Sequence, residues 1–317
     1  MPLTAASSIQ PGHNHYPVAK PKVKLTKSQK FKLFLWNPKT RKCMGRTPLG
    51  WAKLVAFYIV LYTSLAAIWI FLFYLFRLTI SDKYPKWQLA DSIIGMNPGV
   101  GYRPQNPRNR VESALIAFRQ GTHGDYQQWI ESLNNFLSPY ENRTSIKKID
   151  CTGLRNRDRD SMCPFDTSII PSECSLAQNF SYTLGKPCVS LKLNRIYGWM
   201  PQPYETRPSN YPPAAPFRPG VIQITCEGQN DPDKEHIGPI AYYPQGIELK
   251  YYPYYNQPGY QSPFVMVQFK NPRPDVVIYV ECKAWAKNIQ HDRYNKRGLT
   301  SFEIFIERDR GLQSRLS

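Results

Sequence analysis

Two D-x-D pairs, Asp158-Arg159-Asp160 and Asp231-Pro232-Asp233, have the residue type and spacing to hold a divalent cation through carboxylate oxygens. Their neighbours argue against that chemistry. Arg157 and Arg159 would compete with a cation for the first pair, and the second reads as charges in a polar turn after Cys226. No G-x-S-x-G, H-E-x-x-H or G-x-x-x-x-G-K-[ST] run occurs. The histidines at 13, 15, 123, 236 and 291 are scattered, and no C-x-x-C pair offers a zinc site. The partial G-x-G at Gly99 and Gly101 lacks both a third glycine and a preceding strand, so 97–104 reads as irregular backbone. The expectation is a chain without catalytic residues, metal or cofactor.

The cysteines carry a different chemistry. Cys151, Cys163, Cys174, Cys188, Cys226 and Cys282 form an even set in the later part of the chain, while Cys43 stands apart. An even set suits an oxidising compartment and a framework of three bridges. Six cysteines allow fifteen pairings. Short loops close most readily, which favours Cys151 with Cys163 and Cys174 with Cys188, leaving Cys226 for Cys282. The triplets Asn142-Arg143-Thr144 and Asn179-Phe180-Ser181 are glycosylation acceptors in the same region.

The element that must place these cysteines outside a reducing compartment is the uncharged run 54–76. As a helix its 23 residues reach roughly 34 Å, enough for a hydrocarbon core about 30 Å thick. Eleven Lys/Arg and no Asp or Glu precede it, which by the positive-inside bias keeps 1–53 cytoplasmic and sends 77–317 outside, as a single-pass type II protein. The same basic tail accounts for much of the net charge of +18 and suits anionic membrane lipid, so nucleic acid is not needed to explain it. Residues 1 to about 30 are rich in Pro, Lys and Ser and read as disordered.

Beyond the span, Asp125 can cap a helix with Gln128 closing a capping box; Tyr126, Trp129, Ile130, Leu133, Phe136 and Leu137 then share one face, and Pro139 ends it. From about Val189 the pattern turns to strands, at 221–226, 246–252, 264–269, 276–282 and 302–306, with the proline-dense loop 210–219 between them. The fold class expected is mainly β: a single transmembrane helix plus an immunoglobulin-like sandwich with one additional helix. No Trp lies between Cys226 and Cys282, so a true immunoglobulin signature is lacking.

Leu35-Trp36-Asn37-Pro38-Lys39-Thr40, Gly45-Arg46-Thr47 and Trp51 resemble the cytoplasmic signature of the β subunit of the sodium/potassium-transporting ATPase. The rest of the chain is similar to that family as well: Phe57-Tyr58 and Tyr62 in the span, Phe136-Leu137-Ser138-Pro139-Tyr140, the six cysteines, Tyr251-Tyr252-Pro253-Tyr254-Tyr255 and Val267-Gln268-Phe269. The resemblance implies a noncatalytic partner of a P-type pump at the plasma membrane. Such a partner helps the catalytic α subunit fold and leave the endoplasmic reticulum and tunes potassium affinity; a small single-span regulatory subunit can join the pair. It also implies sequential disulfides, an immunoglobulin-like sandwich, and contacts to the α subunit from Tyr58 and Tyr62 in the membrane and from Tyr251, Tyr252, Tyr254 and Tyr255 outside it. Two alternatives remain: an adhesion glycoprotein acting without a pump, and a type II Golgi glycosyltransferase.

Overall fold

Thr47 and Pro48 start the longest helix among the described residues. The Thr47 hydroxyl accepts from the Gly50 N–H at 3.3 Å, and Pro48, with no N–H to leave unsatisfied, fills the first helical position. The computed structural model describes residues 26–106, 113–141, 151 and 163–309, and it divides into two compact units, Met1–Thr79 and Ile80–Ser317.

The first unit begins with α1, Lys27–Leu35, whose Thr26 and Gln29 form a reciprocal capping box. Residues 26–30 are thus ordered by local capping, where composition suggested disorder; residues 1–25 lie outside the described residues. Two short strands, β1 (Trp36–Asn37) and β2 (Lys42–Cys43), pair antiparallel around a turn in which Asn37 Oδ1 accepts from the backbone N–H groups of Lys39 and Thr40. The Trp51 indole donates to the Cys43 carbonyl at 2.8 Å, fastening this hairpin to α2, Pro48–Leu78. α2 is the one described helix long and apolar enough to cross a membrane, and none of its residues is buried. Thr63 and Ser64 return their hydroxyls to the carbonyls of Ile59 and Leu61, so neither presents an unsatisfied polar group to hydrocarbon.

The second unit contains β3 (Val100–Arg103), β4 (Leu115–Arg119), α3 (Gln127–Glu141), β5 (Cys188–Leu193), β6 (Gln223–Gly228), α4 (Asp231–His236), β7 (Ile240–Tyr243), β8 (Phe264–Phe269), β9 (Val277–Trp285) and β10 (Leu299–Glu307). They form two four-stranded sheets, ordered β4-β10-β9-β6 and β3-β5-β8-β7. All ladders are antiparallel except β4 on β10. The inner faces meet in one core. Leu191, Val265 and Val267 oppose Ile278, Val280 and Ile304, and Phe302 stacks on Tyr102 at 4.8 Å. This is a sandwich, with period-2 alternation on its long strands.

Several elements differ from their expected form. Val100–Arg103 is a strand, because pairing with β5 supplies the backbone bonds that two glycines and two prolines seemed to forgo. Residues 246–252 are no strand; only Ile247 bridges Ile222, and Leu249–Tyr251 is a 3-10 turn. α3 begins at Gln127, since the Asp125 carboxylate takes the Arg119 N–H at 2.7 Å and the Tyr126 carbonyl accepts from Ile130. Pro139 does not end α3, which continues to Glu141. The Tyr140 hydroxyl donates to the Ser262 carbonyl, and the Gln261 amide donates to the Pro139 carbonyl, so tertiary bonds hold the last turn despite the missing N–H. Additional helices, α1 and α4, accompany α3.

Candidate functional site

Cysteines come first, because they hold the site's frame. Disulfides join Cys151 to Cys163, Cys174 to Cys188 and Cys226 to Cys282, while Cys43 is free. The last differs in placement from an immunoglobulin bridge. Cys226 and Cys282 are direct partners on adjacent strands β6 and β9 of one sheet, so the link lies within a layer and faces the core between layers. β6 is an edge strand, and the Tyr242 hydroxyl, reaching across from β7, accepts from the Cys226 N–H at 3.0 Å. Burial pushes the Tyr242 phenol up to about 12. Tyr242→Phe should leave that edge N–H unpaired and cost about 1–3 kcal/mol, read as a lowered melting temperature of the full chain in detergent. An unchanged melting temperature would mean the edge finds another partner.

The tyrosine run that the resemblance singles out splits in two. Tyr251 is 7 % exposed and packs on Phe165 in the core, so its ring has little surface to offer a partner. Tyr252 meets Trp199 edge-on. Tyr254 and Tyr255, half-buried, both lie against Tyr197, and Tyr254 also packs on Tyr260 at 4.9 Å. The Arg195 guanidinium sits 5.4 Å from the Tyr254 ring and 5.3 Å from the Tyr260 ring, and donates to the Ser262 hydroxyl. Gln257 clamps the turn by accepting from the Tyr255 N–H and donating to the Pro253 carbonyl.

Next to this cluster a cavity of about 350 Å³ is lined by Tyr84, Trp87, Leu89, Ile94, Tyr197 and Tyr254. Trp87 and Ile94 are 66 % and 71 % exposed, and Ile93 points wholly into solvent. Contiguous exposed apolar surface of this kind marks a place for contact with a protein or a membrane. Sequence reasoning missed Arg195, Tyr197, Trp87 and Tyr260, because nothing local links them to residues 251–255; folding brings the loop after β5 and the segment after α2 to the same face.

On α2, Tyr58 and Tyr62 are one turn apart and stack at 5.9 Å. With Trp51, Leu54, Val55 and Ile59 they form one shallow apolar face.

The other candidates are plainly placed. Asn142, Asp158 and Asp160 lie outside the described residues. Asn179 is half-buried with a positive φ, and Ser181 is buried with its hydroxyl on the Glu173 carbonyl. Asp231 and Asp233 lie on α4 rather than in a turn; Asp231 pairs with Lys234 at 2.9 Å in solvent, while Asp233 is 4 % exposed, so the two carboxylates diverge. Among the described residues no group of three His, Cys, Asp or Glu could hold a metal ion.

Comparison with known proteins agrees with the signature residues. The family model described as "Sodium / potassium ATPase beta chain" matches residues 21–304. The chain is 35% identical over 301 residues to the sodium/potassium-transporting ATPase subunit beta-2 of Drosophila melanogaster, covering 89% of this chain and 93% of that one. It is likewise 35% identical to subunit beta-1 of the same species, over 89% of this chain and 94% of the relative. To subunit beta-2 of Homo sapiens it is 28% identical, over 88% and 95%.

Proposed function

Because the chain belongs to the sodium/potassium ATPase beta chain family, we propose that it assembles with a catalytic α subunit through two surfaces, and that α2 and the sandwich each carry one. As a beta chain it is a noncatalytic subunit and a membrane protein. The observation that carries the proposal is the exposed apolar surface of Trp87 and Ile94 beside the half-buried rings of Tyr197 and Tyr254. Tyr58 and Tyr62 supply the membrane surface, each burying a rigid ring while keeping a polar tip. The chain's role is then to help the α subunit fold, leave the endoplasmic reticulum and reach the plasma membrane, and to shift the pump's potassium affinity. Membrane lipid contacts the outward face of α2, and a small regulatory subunit can share it.

The orientation in this proposal is 1–53 cytoplasmic, 54–76 spanning and 77–317 extracellular. It rests on the eleven-to-zero charge bias. Protease added to sealed microsomes should digest the first 50 or so residues and spare the sandwich, and protection of the N-terminus would reverse the orientation. Glycans on Asn142 and Asn179 go with it. At Asn179 the buried Ser181 means that attachment precedes folding of that segment.

Coexpression with an α subunit tests the function. Complex recovery, surface delivery and potassium activation of ATP hydrolysis should all depend on this chain. If all three are the same without it, the adhesion alternative is the better reading.

A further inference from the structure

A second cavity, of about 650 Å³, lies between α3 and the outer face of the β3-β5 pair, and its charges are unbalanced. Arg103 and Lys192 share that outer face: Arg103 pairs in register with Ser190 and Gly101 with Lys192, so the two cations are diagonal neighbours. Like charges so placed repel. Arg195 lines the same cavity. Arg103 donates only to the Tyr102 carbonyl, Lys192 lies 5.3 Å over the Phe136 ring, and Arg195 donates to Ser262. Among the described residues no carboxylate forms an ion pair with any of the three, and Glu131, on the exposed face of α3, is the one described acid in the lining. Burial, then the two arginines, holds the Lys192 ammonium below its ordinary value.

A separate observation points to a ligand here. Gln261, 8 % exposed, uses its amide N–H on the Pro139 carbonyl, while its Oε1 has no hydrogen-bond partner. A buried acceptor without a donor costs free energy, so a ligand hydroxyl that reached Gln261 Oε1 by a small shift of the cleft lining would be favoured. A simple anion would satisfy the cations and leave Gln261 orphaned. A neutral sugar would do the reverse.

We propose that this cleft binds an acidic saccharide, its carboxylate or sulfate between Arg103 and Lys192 and a ring hydroxyl donating to Gln261 Oε1. The volume falls in the range of small-ligand sites. The inference rests on the proposed extracellular placement of the sandwich, where such sugars occur. They could come from sialylated glycans or from sulfated uronate chains, which share this chemistry.

The test uses the full chain in nanodiscs of neutral phosphatidylcholine, with calorimetry against sialyllactose, a heparin-derived disaccharide and lactose. One or both acidic sugars should bind, and which one does identifies the source; lactose should not. Arg103→Gln and Lys192→Gln should each raise Kd at least tenfold, and Lys27→Ala with Lys30→Ala, on the basic first unit, should not. Gln261→Glu places a carboxylate beside the cations but also removes the amide bond to the Pro139 carbonyl, so it should abolish acidic-sugar binding and lower the melting temperature. Arg103→Gln and Lys192→Gln leave that bond intact and should lose binding without a lowered melting temperature, a combination that misfolding cannot imitate. Failure of both acidic sugars to bind, equal binding of lactose, or unchanged affinity in the Arg103, Lys192 and Gln261 variants overturns the inference. Because binding is measured on this chain alone, that failure stays separate from any failure to assemble with an α subunit.

Discussion

Changing Tyr254 and Tyr255 together to Ala should lower recovery of the complex with an α subunit by well over tenfold. Aromatic anchors at the centre of an interface commonly cost 2 kcal/mol or more each when truncated, and 1.4 kcal/mol is already a factor of ten. Both rings are half-buried against Tyr197, and Arg195 and Gln257 fix their geometry, so little side-chain entropy is left to lose on docking. Tyr251→Ala should behave differently: its ring packs on Phe165 in the core, so the variant should melt at lower temperature before it weakens assembly. Tyr254→Phe keeps the ring and loses a hydrogen bond to Asn256, and should assemble nearly as well as the parent. The readout is α subunit co-purified with each variant, normalised to folded chain. Equal recovery for the Tyr254/Tyr255 double variant and the parent would remove this face from the interface.

Replacing Cys226 and Cys282 should destabilise the sandwich more than removing either other bridge. That bridge spans 56 residues, against 12 and 14, and in the chain-entropy model this corresponds to about 4 kcal/mol rather than about 3. Its position adds to the loss, since both sulfurs face the core and the partner strand β6 is an edge. Against a typical total of about 5–15 kcal/mol, 4 is enough to deplete the folded population in a cell. Surface delivery of the α subunit should therefore fall most for this pair. If loss of Cys174 and Cys188 proves the more damaging, loop length is not what sets the order.

Residue type and spacing alone determined the spanning helix and its charge bias, because a hydrophobic run and its flanks act on the bilayer without help from the rest of the chain. They determined the strands at 264–269 and 302–306 too, the first as a short continuous β-forming apolar run and the second by alternation. The apolar stripe of α3 was equally legible. Its ends were not, since Asp125 is drawn to Arg119 and Pro139 is held by Gln261, bonds to residues 6 and 122 positions away. β3 was hidden for the same reason: its strand character comes from its partner β5, not from its glycines and prolines. Only the tertiary structure decided that the Cys226–Cys282 bridge lies inside one sheet, and that Tyr251 serves the core while Tyr254 and Tyr255 serve the surface. A run of tyrosines records the chemistry available; which ring turns inward is settled by Phe165, Tyr197 and Arg195, brought alongside by strands far away in the chain.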